Sequence, residues 1–112
     1  MVSFRESEQK EEAVFIYLDG VSLSDDVYRR YDLASLEDKL IEAVERKDLG
    51  EFDGNEIGGG TAKLFLYGPD AEKLFAAIEP VLRTYPLSLN ARVVIRRGGP
   101  GAEDREVRLN GA

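Results

Sequence analysis

The stretch that decides the fold is residues 61–70, TAKLFLYGPD, together with the helix-spaced residues that follow it. Successive side chains of a strand point to opposite faces, so Leu64 and Leu66 share one side and Phe65 and Tyr67 the other. Gly68-Pro69-Asp70 then breaks the strand. It places a carboxylate where the unpaired first amides of a helix need an acceptor. Ala71, Leu74, Phe75 and Ile78 recur at helical spacing. Pro80 is expected to end or kink that helix, because proline has no amide to donate and crowds the preceding turn. Val81 and Leu82 still fit the apolar stripe and predict a kinked extension.

The same grammar runs outward in both directions. Residues 13–19, AVFIYLD, form a first strand of β-branched and aromatic residues, stopped by Asp19-Gly20. Residues 20–32 read as a polar connection. Leu33, Leu36, Leu40, Ala43 and Val44 then mark a helix capped by Asp32 or Ser35 and closed at Leu49-Gly50. A weaker strand is expected within residues 49–57, ahead of Gly58-Gly59-Gly60. Downstream, residues 92–97, RVVIRR, are a further strand, Gly98-Gly99-Pro100-Gly101 a turn, and residues 106–109 a returning edge strand. The order predicts an α+β chain: a ferredoxin-like (split βαβ) antiparallel sheet with two helices on one face and a C-terminal edge strand. Residues 13–110 are expected to form a single domain, and residues 1–12, MVSFRESEQKEE, a flexible N-terminal arm.

Composition bounds the chemistry. At 112 residues the chain is long enough for one core without disulfides or a structural metal. It contains no cysteine and no histidine, which removes thiolate nucleophiles, Cys/His zinc sites and imidazole bases together. No run approaches the ~18 apolar residues that span a bilayer, and residues 1–12 lack the apolar centre of a signal peptide. The expected location is cytoplasmic, with no membrane partner. A net charge of −7 opposes binding to phosphate backbones, so no nucleic acid is expected as a partner.

Strand alternation supplies the functional expectation. Val14, Ile16 and Leu18 belong with Leu64 and Leu66 beneath the helices, leaving Phe15, Tyr17, Phe65 and Tyr67 on the face without helices. Arg92, Val94 and Arg96 border them from the next strand. Four such rings represent roughly 600–900 Å² of burial capacity. Soluble monomers rarely leave that much apolar surface bare. A second copy of the chain, a segment of the same chain (the N-terminal arm or the tyrosine-bearing 20–32 connection) or a ligand would cover it. Aromatics on two central strands suggest base-stacking sheets, but residues 59–66 lack the basic, glycine-punctuated motif of those domains.

A second candidate is the loop holding Asp53, Asn55, Glu56, Gly58, Gly59 and Gly60. Nucleotide-binding glycines lead from a strand into a helix, whereas these lead into a strand, so a turn needing positive φ is the better reading. Counted as a calcium loop from Asp53, position five is Ile57 and position twelve is Leu64, which rejects an EF-hand. A looser divalent site from Glu51, Asp53 and Glu56 remains conceivable beside a solvated acidic loop. No catalytic residue, metal ligand or cofactor is assigned. Asp19 with Asp53 or Glu56 would be the carboxylate pair to test for acid–base work.

Residues 51–82, EFDGNEIGGGTAKLFLYGPDAEKLFAAIEPVL, resemble a group of small bacterial proteins sharing a DG-x-E-IGGG turn, an apolar strand, YGPDA and a helix ending in PVL. The resemblance covers about half the chain and implies no activity, cofactor or partner. The leading reading is a non-enzymatic binding or regulatory module, self-associating as a homodimer or binding another protein through Phe15, Tyr17, Phe65, Tyr67 and Val94. The alternatives are a carboxylate- or divalent-metal-dependent enzyme at the Asp53–Glu56 loop and an acidic, partner-specific inhibitor or immunity-type protein.

Overall fold

Five strands and three α-helices build the chain, described here from a computed structural model over residues 11–109. Strand β1 (Glu12–Asp19) is followed by α1 (Asp25–Arg30) and α2 (Leu33–Glu45), then the hairpin β2 (Glu51–Gly58) and β3 (Thr61–Gly68). Helix α3 (Ala71–Thr84), a single 3-10 turn (Pro86–Ser88), β4 (Arg92–Arg96) and β5 (Asp104–Arg108) complete it. The sheet is antiparallel throughout, in the order β2-β3-β1-β4-β5. β1 therefore pairs on both edges, Phe15 lying opposite Phe65 on one side and Val94 on the other. Among the described residues no helix is long and apolar enough to cross a membrane.

The aliphatic faces become the core. Val14, Ile16, Leu64, Leu66, Val93 and Ile95 are fully buried against Leu36, Leu40 and Val44 of α2 and Leu74, Ile78 and Leu82 of α3. The α3 amides are capped as the turn sequence predicts, with Asp70 Oδ1 accepting from Lys73 N at 3.1 Å. A second carboxylate comes from β1: Glu12 Oε1 accepts from Ala71 N at 2.8 Å. Arg105 of β5 forms a bidentate pair with Glu72 at 2.6 and 2.8 Å, pinning the last strand to α3. That guanidinium holds the Glu72 carboxyl below its ordinary range.

Several expectations change. The fifth strand is the expected C-terminal edge strand, but three α-helices are present among the described residues where two were expected. The extra helix, α1, lies in the stretch read as a polar connection; it spans six residues, buries none of them, and so carries no apolar stripe to detect. It is held by Ser24 at its N-cap and by Asp26 pairing with Arg29 and Arg30. Asp32 occupies the N-cap of α2 without a side-chain cap bond. That helix stops at Glu45, before Leu49-Gly50, in a Schellman arrangement: Leu49 N donates to Val44 O and Asp48 N to Glu45 O. Asp48 takes the left-handed conformation, φ 56°, that such a motif usually gives to glycine. Pro80 sits exposed inside α3, and the helix runs on to Thr84 because Leu82 beyond it keeps its place in the core. The edge strand starts at Asp104, earlier than expected.

Two substitutions test this packing. The chain crosses closely where β2 begins and β3 ends, so a Cβ on Gly68 would run into the Leu49 carbonyl oxygen. Gly68→Ala is expected to destabilise by about 1–3 kcal/mol in urea unfolding. The Ser88 hydroxyl is fully buried and makes no hydrogen bond among the described residues. Ser88→Ala removes a desolvated group at no packing loss, and a midpoint raised by up to about 1 kcal/mol equivalent is expected.

Candidate functional site

The face of the sheet away from the helices carries Phe15 and Tyr17 from β1, Lys63, Phe65 and Tyr67 from β3, and Arg92, Val94 and Arg96 from β4, as alternation requires. Phe15 is the hub. Its ring meets Phe65 edge-on at 5.7 Å and Tyr67 at 6.1 Å. All of these residues are half-buried rather than bare.

Cations lie over three of the four rings. Lys63 Nζ lies 4.7 Å from the Phe15 ring, 4.9 Å from Phe65 and 5.2 Å from Tyr17. The Arg92 guanidinium stands 4.0 Å over Tyr17, and that of Arg96 5.5 Å over Phe15. A ring face attracts a cation through its quadrupole, while the aliphatic stems cover apolar surface. The face is therefore an aromatic floor under a cationic centre, which strand alternation alone did not reveal. Position 63 alternates with Phe65 and Tyr67, so the signal was present in the spacing of TAKLFLY.

Carboxylates flank this centre. Cross-strand partners share a face, so Glu56 lies beside Lys63 and Glu51 beside Tyr67 on the β2 side. Asp104 lies beside Arg96 and Glu106 beside Val94 on the β5 side. Glu106 bridges two arginines, Arg92 at 3.3 Å and Arg108 at 3.1 Å.

The acidic glycine-rich loop resolves into a hairpin. Gly58 pairs with Thr61, leaving Gly59-Gly60 as a two-residue turn with φ of 59° and 79°, a conformation that glycine adopts without penalty. Asp53 and Gly54 form a bulge opposite Phe65, between the pairs Phe52–Leu66 and Asn55–Leu64. Asn55 turns to the helix side and donates to Glu37 of α2. Ile57 and, across the turn, Val21 are the large hydrophobic side chains left exposed among the described residues, at 68% and 72%. Two shallow hollows of about 280 and 300 Å³ flank Tyr17 and Thr61 at this end of the sheet. The sequence-predicted face and loop thus meet along Tyr17, Glu56 and Lys63, whereas Asn55 is directed away from them.

Asp19 serves the turn after β1. Its carboxylate accepts from Ser22 Oγ and from the Val21 and Ser22 amides, both at 2.9 Å. Among the described residues no cluster of three carboxylates assembles that could hold a metal ion. The tyrosines of the 20–32 connection do not cover the open face. Tyr28 Oη donates to Asp19 O, and Tyr31 stacks edge-on with Tyr85 at the end of α3. The N-terminal arm, the other internal cover, lies outside the described residues over positions 1–10.

The bonds from Ser22 and Val21 hold the Asp19 carboxyl below the usual carboxylate range. A depressed folded pKa means that its stabilising contribution is complete above the unfolded value of about 3.9 and is lost as pH falls through the lowered folded value. Asp19→Asn is expected to be less stable than the parent at neutral pH and to converge with it as both are acidified, read by urea midpoints against pH.

No protein-family model matches the chain, no curated protein is recognisably similar to it, and no solved structure matches it, so the reading of this face rests on its own geometry.

Proposed function

We propose that this chain is a non-enzymatic binding module of the cytoplasm that pairs with a second copy of itself through the open face of its sheet. The scaffold reads as a ferredoxin-like sheet extended at one edge by β5. The central order β2-β3-β1-β4, with α2 and α3 packed on one face, supports that reading.

One observation carries the functional proposal: the open face gathers cations over its rings and ranges carboxylates along its edges. Lys63, Arg92, Arg96 and Arg108 share the face with Glu51, Asp53, Glu56, Asp104 and Glu106, and with Asp19 at the end of β1. A two-fold contact sets a patch against itself, so the cationic centre of one copy can meet the acidic edges of the other. The half-buried rings of Phe15, Tyr17, Phe65 and Tyr67, with Val94, supply apolar contact. Five strands spaced ~4.8 Å apart and up to eight residues long give a flat footprint of roughly 500 Å². A standard interface takes about 800 Å² from each partner. The pairing is therefore expected to be weak and reversible.

Sedimentation equilibrium over a wide concentration range tests it. A reversible dimer is expected, weakened about tenfold or more in Lys63→Glu and in Phe65→Glu with unchanged circular dichroism. A chain that stays monomeric up to millimolar concentration, or two correctly folded variants that dimerise like the parent, would rule the reading out.

A further inference from the structure

On the opposite side of the molecule, α2 and α3 leave a groove of about 580 Å³ between their outer surfaces. Its floor is small and apolar: Ala43 from α2, and Ala77 and Val81 from α3. Its α2 rim is cationic: Lys39, Arg46 and Lys47. Glu42 offsets one of them through its pair with Arg46 at 3.1 Å, and Lys39 and Lys47 pair with no carboxylate among the described residues. The rim remains net positive on a chain of net charge −7.

Cations close to a helix C-terminus complement its dipole, and that accounts for Arg46 at the C-cap of α2 and Lys47 just beyond it. It does not account for Lys39, which lies mid-helix and faces the same groove. Small residues on facing helices let a third backbone approach to packing distance, about 8–10 Å between axes. A trough of this shape suits an amphipathic helix, recognised through an apolar stripe on the floor and charges on the rim. Charge complementarity decides its sign.

We infer that the α2–α3 groove docks an acidic amphipathic helix of a partner protein. Its small apolar stripe lies on Ala43, Ala77 and Val81, and its carboxylates face Lys39, Arg46 and Lys47. The groove lies behind the sheet from the open face, so a face-to-face dimer leaves two such grooves pointing outward. A partner carrying two helices would then bind with the gain of a linked, bivalent contact.

The experiment uses the full chain, isotopically labelled, and a helical peptide of alanine, leucine and glutamate, with a lysine-for-glutamate peptide of the same pattern as control. The glutamate peptide is expected to shift the Ala43, Ala77 and Val81 methyl resonances and the lysine peptide to leave them in place. The double variant Lys39→Glu/Lys47→Glu should weaken binding about tenfold by reversing two rim charges. Ala77→Trp, which fills the trough, should abolish binding while circular dichroism and sedimentation stay as in the parent. Four outcomes would overturn the inference. These are equal shifts from both peptides, no groove shifts from either, undiminished binding to a folded Ala77→Trp chain, and groove shifts that grow with protein concentration alone, which would make the occupant a second copy. None of them bears on dimerisation through the sheet.

Discussion

The whole domain depends on β1, a strand that is hydrogen-bonded on both edges and in demand on both faces. Its register places Val14, Ile16 and Leu18 under the helices and Phe15 and Tyr17 on the other side. A slip of one residue would exchange these sets and put aromatic rings into space shaped for branched aliphatics. The neighbouring strands fix the register from both sides, since β3 and β4 carry the same division between aliphatic and outward-facing residues. β1 also reaches beyond the sheet: Glu12 at its start caps α3, and Asp19 at its end organises the following turn.

The open face illustrates how aromatic strands survive in water without a greasy surface. Three of its four rings, Phe15, Tyr17 and Phe65, lie under Lys63, Arg92 and Arg96. The cations remain hydrated on their outer sides while their inner sides meet ring quadrupoles. The result is a surface with apolar depth and a polar skin. On the same face the edge strands carry carboxylates in Glu51, Glu56, Asp104 and Glu106.

Much of this was legible in the sequence because it rests on period and on turn chemistry. TAKLFLY and AVFIYLD alternate strictly, Asp70 follows a strand-breaking Gly-Pro, and Gly59-Gly60 has the composition of a tight hairpin. What was not legible has physical reasons. Helix α1 buries nothing, so no apolar period marks it; local capping and the Asp26 ion pairs sustain it. The end of α2 was missed because Asp48 took a conformation that the sequence seemed to reserve for Gly50. The continuation past Pro80, by contrast, was legible, because Val81 and Leu82 keep the apolar period beyond it. Of the candidate site, the identity of the aromatic face followed from alternation. Its cations were legible in part, since Lys63 alternates with Phe65 and Tyr67, whereas the carboxylates beside them depend on which residues lie opposite across strands, a long-range property that no local pattern encodes. Asn55 went to the helix side because the bulge at Asp53-Gly54 changes the register by one residue.

The position of β1 at the centre of the sheet also has a temporal side. Among the described strands it is the first to be synthesised, yet β4, which covers its second edge, lies at residues 92–96. At about 5–20 residues per second, roughly 4–15 s separate the synthesis of the two. Throughout that interval a segment of high β-propensity, VFIYL, has at least one unpaired edge. The β2–β3 hairpin, nucleated locally by its two-residue turn, closes the first edge midway. Until β4 emerges, the nascent chain presents a β-rich edge of the kind that chaperones bind and that neighbouring nascent chains extend into aggregates.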